Sequence, residues 1–367
     1  MPSVIVVGGG VIGCATAYYL ARAGAEVTVL ERGVVSGEAS SAAAGILASL
    51  SDHGERPQFF HRLCEDSLQL FDELLPGLAG TGIEVHHRVM DRLEVAVTKG
   101  ELGKLQPDFE RRKSEPGVRW LDGREARDLE PGLSPRTLAT ILTPDTRYLD
   151  PQRLTQALAQ SARRAGVTIR EHEPVTRFLR RGDRLRGVRT PAGEYEVDEV
   201  VIASGPWTMA LANRLGANVP VRPVRGQMLS LDGPPAALQH IVLGARAFAL
   251  PREDGQTYVG ATLEEAGYRK RTTAAGLRCL RSGVASIVPA LAKASLRQAW
   301  AGLRPATPDA LPALGRLPGW RNGWVSSGHF RTGILLAPVS GKLLAQAILS
   351  GAETGLPREF SPRRFSP

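Results

Sequence analysis

The amino-acid sequence predicts an α/β protein that begins with a Rossmann-type unit. Residues Ser3–Val7 are a short run of β-branched residues, which is typical of a buried parallel strand. Gly8, Gly10 and Gly13 then form the motif G-x-G-x-x-G at the start of a helical segment, and Glu31 ends a second predicted strand. These three observations together predict a strand, a helix and a strand that bind a dinucleotide.

Each residue of this fingerprint has its own role in dinucleotide binding. Gly8 permits a tight turn, Gly10 lets the backbone approach a pyrophosphate, and Gly13 lets the helix pack against the strand. Glu31 can accept hydrogen bonds from both ribose hydroxyls and would repel the 2′-phosphate of NADP. The sequence carries no second glycine fingerprint for a nicotinamide cofactor. We therefore expect one tightly held flavin dinucleotide.

Composition is typical of a soluble protein. The chain has 367 residues, of which 43% are hydrophobic, and this is enough for one large domain or two. The apolar runs fall short of a membrane span, and the first residues lack the features of a signal peptide, so we expect a cytoplasmic protein without a transmembrane segment. Cys14, Cys64 and Cys279 show neither a disulfide framework nor a metal-ligand spacing.

The strong positive charge raises the question of nucleic-acid binding. The net charge is +9, and the densest run of arginines lies between residues 163 and 189. No aromatic residues alternate with these arginines, as they would in a stacking platform for bases. The pattern therefore favours a solvated protein face, and we expect no nucleic-acid partner.

A segment of very small residues follows the second predicted strand. Residues 37–50 read GEASSAAAGILASL. Such a run could form a plain core helix, or it could let the backbone reach the phosphates and the flavin edge of a cofactor. The residues alone leave both alternatives open.

Several motifs together resemble a known family. The glycine fingerprint with Glu31 is followed by SSAAAGIL (40–47), VVIASGPW (200–207), WAGLRPATPDALPALG (300–315) and GHFRTGILLAP (328–338). These motifs occur in the order seen in the D-amino-acid-oxidase-like flavoproteins, and the chain most resembles the glycine oxidases of thiamine biosynthesis. The similarity extends over nearly the whole chain.

The resemblance implies two domains. A Rossmann-like FAD-binding domain would be assembled from residues 1–80, 148–216 and 299–367, and a substrate-binding domain on a mixed or antiparallel sheet would be formed by residues 81–147 and 217–298. Alternating strand-like stretches at 87–98 and 226–231 support this layout independently.

The resemblance also implies cofactor contacts along the whole chain. FAD would be bound without a covalent link, and a loop at residues 329–335 would wrap the flavin ring at the start of a helix, whose N-terminus would stabilise negative charge on the reduced ring. His329 could equally be a core histidine bonded to a backbone carbonyl. The implied contacts are Gly8, Gly10, Val11, Ile12, Gly13, Glu31, Arg32, Ser40, Ala44, Gly45, Ile46, Val175, Gly205, Gly328, His329, Phe330, Arg331, Thr332, Gly333, Ile334 and Leu335.

Two arginines are the candidate substrate ligands. Arg304 and Arg331 both lie in motifs that resemble flavin-proximal elements, so both could reach one pocket. Two guanidinium groups can clamp a carboxylate in a bidentate geometry that lysine does not reproduce. Either arginine could instead be a surface or ion-pair residue, since exposed arginine is the usual case.

The predicted pocket wall departs from the family pattern. Phe248 stands where the best-matched glycine oxidases have a tyrosine that hydrogen-bonds the substrate carboxylate. Arg246 stands at a histidine position and Leu263 at a methionine position. The substrate could therefore be glycine, sarcosine, another small or D-configured amino acid, or a cyclic imino acid.

The function predicted from these residues is FAD-dependent oxidative deamination of a small amino acid. Hydride would pass from Cα to flavin N5, with an imine and then a 2-oxo acid, ammonia and H2O2 as products. The alternatives are a dehydrogenase that uses another electron acceptor, a tRNA-modifying flavoprotein, or a binding protein that merely retains FAD. The sequence decides neither the exact substrate nor whether the chain forms a homo-oligomer.

Overall fold

The computed structural model describes residues 1–48, 57–233 and 238–366. The helices of this part of the chain are α1 (Val11–Arg22), α2 (Gln58–Ala79), α3 (Lys99–Arg112), α4 (Gly123–Leu129), α5 (Pro151–Arg164), α6 (Thr208–Asn213), α7 (Ala274–Ile287) and α8 (Gly333–Ser350).

The strands of the same part are β1 (Ser3–Val7), β2 (Glu26–Leu30), β3 (Ile46–Leu47), β4 (Arg88–Ala96), β5 (Arg119–Asp122), β6 (Ala139–Tyr148), β7 (Thr168–Arg170), β8 (Arg177–Arg181), β9 (Arg184–Thr190), β10 (Gly193–Glu196), β11 (Glu199–Ile202), β12 (Arg222–Asp232), β13 (Ile241–Leu243), β14 (Phe248–Pro251), β15 (Gln256–Gly260), β16 (Leu296–Ala306), β17 (Ala313–Arg316) and β18 (Gly323–Ser327).

The N-terminal unit belongs to a six-stranded sheet in the order β17-β18-β11-β1-β2-β7. Its strands are parallel except β17, which runs antiparallel to β18. Strands β1 and β11 are almost wholly buried because helices or a second layer cover both faces of the sheet. The Rossmann-type strand, helix and strand predicted from the first thirty residues are confirmed.

The helices on one face of this sheet form the main apolar core. Helix α1 packs between α5 and α8, and glycine at position 341 of α8 allows a close approach, since a Cβ there would lie 2.8 Å from the backbone carbon of Ala15. On α5, the Asp150 side chain accepts a hydrogen bond from the Arg153 N–H at 3.0 Å, and proline follows the cap, as helix starts favour. The other face is covered by the three-stranded sheet β10-β9-β8.

A second, nine-stranded sheet builds the other half of the molecule. Its order is β16-β12-β15-β14-β13-β4-β6-β3, with β5 also paired to β6. The β13–β4 pair is parallel and the remaining pairs are antiparallel, so the sheet is mixed. The predicted fold class is therefore confirmed. The domain boundaries stay a prediction, and β3 (Ile46–Leu47), from a segment assigned to the FAD domain, pairs with this sheet.

Helix α8 is more apolar over its full length than expected from the sequence. Its 18 residues are long and apolar enough to cross a membrane by length and composition, whereas the sequence analysis expected no such run. However, 67% of the helix is buried against the rest of the protein, principally against α1 and α2. This burial identifies α8 as a core helix of the fold.

Candidate active site

The glycine fingerprint forms a tight turn at the edge of a large cavity. Gly8 has φ +121°, and a Cβ at this position would lie 2.5 Å from the carbonyl oxygen of Ala203. Gly13 does not line the cavity. Its lack of a side chain lets α1 pack against the turn, since a Cβ there would lie 1.9 Å from the carbonyl oxygen of Gly8. Gly10 caps α1 without a side-chain hydrogen bond, so the helix N-terminus is open to an anion.

Two polar side chains hold this turn in shape. The carboxylate of Glu31 accepts hydrogen bonds of 2.7 Å from the N–H groups of Gly9 and Gly33, and Glu31 lines the cavity directly beside the glycines. The N–H of Val11 donates to Ser40 Oγ at 2.9 Å. Glycine at the turn, an acid at the end of β2 and an open helix N-terminus are the features that an adenosine diphosphate group requires.

The cavity has a volume of about 980 Å³ and extends from the first sheet to the second. Most of the predicted cofactor residues line it. Of the four that do not, Gly13 packs α1 onto the turn, Gly328 lies in the loop before α8 with φ +76°, Thr332 directly precedes α8, and Leu335 is buried in the core. Those that do line it are Gly8, Gly10, Val11, Ile12, Glu31, Arg32, Ser40, Ala44, Gly45, Ile46, Val175, Gly205, His329, Phe330, Arg331, Gly333 and Ile334.

The small-residue segment is not a helix over its described part. Residues 35–43 form turns, and Ile46–Leu47 is the short strand β3. Gly45 has φ +88°, and a Cβ there would lie 1.9 Å from the Leu149 oxygen, so only glycine fits. The stretch at 42–46 lines the cavity, which favours the cofactor alternative; residues 49 and 50 lie outside the described residues.

Arg304 projects from β16 over the neighbouring strand. Its guanidinium occupies the space above Gly226, where a Cβ would lie 2.2 Å from Nη1, and Nη1 donates to the Thr262 carbonyl at 3.0 Å. Among the described residues, no carboxylate lies within salt-bridge distance of it. Burial lowers the pKa of the guanidinium to about 10. A buried cation that faces a cavity is stabilised by an anionic partner.

The loop before α8 brings Arg331 and His329 to the same cavity. Phe330 has φ +50° and donates its N–H to the Pro305 oxygen at 2.8 Å, which ties the loop to β16 next to Arg304. Arg331 faces the cavity, which leaves part of its side chain exposed. Desolvation by the surrounding protein lowers the pKa of its guanidinium. No side chain caps α8, so its N-terminus is also open towards the cavity.

His329 is a buried neutral histidine. Only 1% of its surface is exposed, and its Nε2 lies 2.9 Å from Ser340 Oγ on α8. Burial lowers its pKa to about 3. Its Nδ1 has no hydrogen-bond partner among the described residues. The partner of His329 is a hydroxyl, and the backbone carbonyl considered in the sequence analysis is not the acceptor.

The three positions that depart from the family pattern all line the cavity. Phe248 packs its ring against Gly260, where a Cβ would lie 2.7 Å from Cζ. Arg246 lies two residues earlier, in the turn between β13 and β14, and Leu263 follows β15 with 63% of its surface exposed. These side chains belong to the second sheet, opposite the glycine turn.

Sequence reasoning missed several lining residues. The guanidinium carbon of Arg32 lies 3.6 Å from the centroid of the Trp207 ring, and the absence of a side chain at Gly226 leaves space for Arg304. The signal for Gly226 is a glycine inside a strand pattern, which marks a close approach by another group. Trp207 is the last residue of the motif at 200–207, which was interpreted only through its small residues.

The arginines between 163 and 189 are placed elsewhere. None of them lines the cavity, and Arg163, Arg170 and Arg189 pair with neighbouring glutamates. Their position gives no support to an RNA surface beside the candidate site.

Comparisons with known proteins agree with this geometry. The family model DAO, FAD dependent oxidoreductase, matches residues 3–347. Glycine oxidase of Pseudomonas putida is 34% identical over 363 residues, which are 98% of each chain. The crystal structure of glycine oxidase from Geobacillus kaustophilus has a TM-score of 0.91 at 32% identity and covers 99% of this chain and 98% of that one.

A further solved structure is iminodiacetate oxidase from Chelativorans sp., with a TM-score of 0.88, 27% identity and 98% of both chains covered. The cradle of Gly8, the carboxylate of Glu31 and the open starts of α1 and α8 fit FAD. The chain belongs to the DAO family of FAD-dependent oxidoreductases and is an FAD-dependent amino-acid oxidoreductase.

Proposed function

We propose that the protein oxidatively deaminates a small amino acid held by its carboxylate at Arg304. The observation that carries this proposal is a desolvated guanidinium that faces the cavity and has no carboxylate partner among the described residues. An amino-acid carboxylate would supply that partner through two charge-assisted hydrogen bonds. The family membership supports an amino acid as the substrate class.

The residues of the chain would act mainly by orienting the substrate. When bound, FAD supplies the acceptor for the hydride from Cα. Arg304 is fixed by the Thr262 carbonyl and by contact with β12, so a bound carboxylate is fixed as well. Arg331, on the loop tied to β16, would add a second cation from the side of α8. Such fixed positioning lowers the entropic cost of reaching the reactive geometry.

We propose no general base among the described lining residues. His329 is neutral and already bonded to Ser340. The described lining carboxylates already accept hydrogen bonds from backbone N–H groups or from cations, and they are Glu31, Glu38, Glu94, Glu101 and Asp108. The amine would therefore lose its proton to solvent before the hydride leaves, so kcat/KM is expected to rise with pH as the free amine becomes more abundant.

The proposal is tested with the purified holoenzyme and a panel of glycine, sarcosine, D-alanine and L-alanine. The expected result is formation of H2O2 in equal molar amount to the O2 consumed, with ammonia released from the primary amino acids and methylamine from sarcosine. A dehydrogenase would instead reduce an artificial acceptor without consuming O2, and this remains the second candidate. Absence of turnover with every amino acid, with O2 and with the artificial acceptor, would refute the proposal.

A further inference from the structure

The cavity holds more unpaired positive charge than one amino-acid carboxylate needs. The described carboxylates of its lining already accept hydrogen bonds from a cation or from backbone N–H groups, and they are Glu31, Glu38, Glu94, Glu101 and Asp108. In contrast, Arg246 and Arg304 line the same cavity, and neither has a carboxylate within 4.0 Å among the described residues. Lys104 and Arg214 also line the cavity without a carboxylate partner among the described residues, but Arg246 and Arg304 lie together on the second sheet and suit a ligand with two separate anionic groups.

The backbone at Arg246 is held in place by two contacts. The turn between β13 and β14 is closed by the Gly244 N–H, which donates to the Ala247 carbonyl at 2.9 Å. Helix α7 packs directly behind this turn at Gly283, where a Cβ would lie 3.3 Å from the Cβ of Arg246. The backbone of the turn is thus fixed at the edge of the cavity, and the exposed Arg246 side chain extends from it.

Arg304, Phe248 and Arg246 follow one another along one wall of the cavity. Arg304 bonds the carbonyl of Thr262, two residues beyond the end of β15. Gly260, the last residue of β15, pairs with Phe248, whose ring covers it. Arg246 precedes Phe248 by two residues in the adjoining turn. A substrate bound by its α-carboxylate at Arg304 can thus extend past the apolar Phe248 towards Arg246.

We propose that Arg246 binds a second carboxylate of the substrate, so that the preferred substrate is a dicarboxylic amino or imino acid. This inference rests on the proposed function, in which Arg304 takes the carboxylate next to the amine. Arginine suits both positions because its planar fork pairs with a carboxylate through two hydrogen bonds. Phe248 between them offers an apolar surface to the methylene groups that separate the two carboxylates.

The first test compares substrates in the wild-type holoenzyme and in Arg246→Gln. The substrates are glycine and D-alanine against D-aspartate, D-glutamate and iminodiacetate. We expect the dicarboxylates to have the higher kcat/KM in the wild type, and we expect the ratio of their kcat/KM to that of D-alanine to fall about tenfold or more in the variant. The matched control is Arg278→Gln on α7, an exposed arginine outside the cavity lining, and it should leave that ratio unchanged.

The second test measures binding without turnover. We expect the wild-type holoenzyme to bind succinate about tenfold or more tightly than butyrate in calorimetric titration, and we expect Arg246→Gln to remove that difference. Equal binding of the two acids by the wild type would overturn the inference. An equal loss of kcat/KM for D-alanine and for the dicarboxylates in Arg246→Gln would also overturn it, because Arg246 would then attract any anion alike.

The two proposals fail in different ways. If no amino acid of either kind reduces the flavin or is turned over, the proposed function fails and this inference fails with it. If D-alanine or glycine is oxidised but the dicarboxylates have no advantage, or keep their advantage in Arg246→Gln, only the role of Arg246 is refuted.

Discussion

Replacement of Arg304 by methionine should change stability and activity in opposite directions. The guanidinium is partly buried, bonds one carbonyl at 3.0 Å, and has no carboxylate beside it among the described residues. This desolvation lowers its pKa to about 10, well below the ordinary value of arginine in water. Methionine has a similar length without the charge, so Arg304→Met removes the desolvated cation and leaves the wall of the cavity filled.

The magnitude follows from the pKa of Arg304. Each tenfold change in proton affinity is worth about 1.4 kcal/mol, so the lowered pKa corresponds to about 3 kcal/mol against the charged form. At neutral pH the arginine is protonated in both the folded and the unfolded chain, and this cost therefore lowers the free energy of unfolding. The lost hydrogen bond to Thr262 removes about 1 kcal/mol of stabilisation. We expect Arg304→Met to raise the free energy of unfolding by about 2 kcal/mol.

The same substitution should remove most of the activity. Loss of one partner from a desolvated charge pair costs about 2 kcal/mol or more, which corresponds to a fall in kcat/KM of about thirtyfold or more. Both quantities are measured on holoenzyme of matched flavin content, by thermal unfolding and by amino-acid turnover. Arg278→Met, at an exposed position outside the cavity, is the control for loss of charge alone. A lower Tm with unchanged turnover would show that Arg304 is a structural residue.

Three further changes test other parts of the site. Glu31→Ala removes the acceptor for two backbone N–H groups at 2.7 Å, so the purified variant should retain less FAD, as the ratio of flavin to protein absorbance will show. Burial lowers the pKa of His329 to about 3. Below about pH 6.5 the unfolded chain protonates this histidine but the folded protein does not, so the free energy of unfolding falls as the pH drops. His329→Gln should make the fall of Tm between pH 7 and pH 4 shallower, and an unchanged slope would contradict this. Phe248→Tyr adds a hydroxyl to the cavity wall and should raise kcat/KM for glycine several-fold in steady-state assays.

The parts of the fold predicted from the sequence are those set by local pattern. The strand, helix and strand at the N-terminus follow from β-branched runs and from glycines at fixed spacing, and α5 follows from the Asp150 cap and its proline. The helix after the loop at 329–333 was also predicted, but its apolar character over the full length was underestimated because glycine, proline and Lys342 interrupt the pattern; burial against α1 and α2 stabilises it throughout.

Side-chain partners in the site depend on contacts between distant segments, which local pattern does not contain. Nothing near Arg304 in the sequence indicates that its guanidinium lies over Gly226 and bonds Thr262. Whether the small-residue segment at 37–50 is helical likewise depends on a distant contact, because over its described part Gly45 packs against Leu149 and the chain forms turns and β3. The non-covalent binding of FAD stays a prediction, and release of all flavin by acid denaturation is its test.

The most direct test of the account is the absorption spectrum of the anaerobic holoenzyme during addition of an amino acid. We predict that the oxidised flavin band of the wild type bleaches on addition of D-aspartate, iminodiacetate or D-alanine, and that bleaching in Arg304→Met requires far higher concentrations. A flavin that stays oxidised with every amino acid, yet is reduced by dithionite, would contradict the assignment of this cavity to amino-acid oxidation.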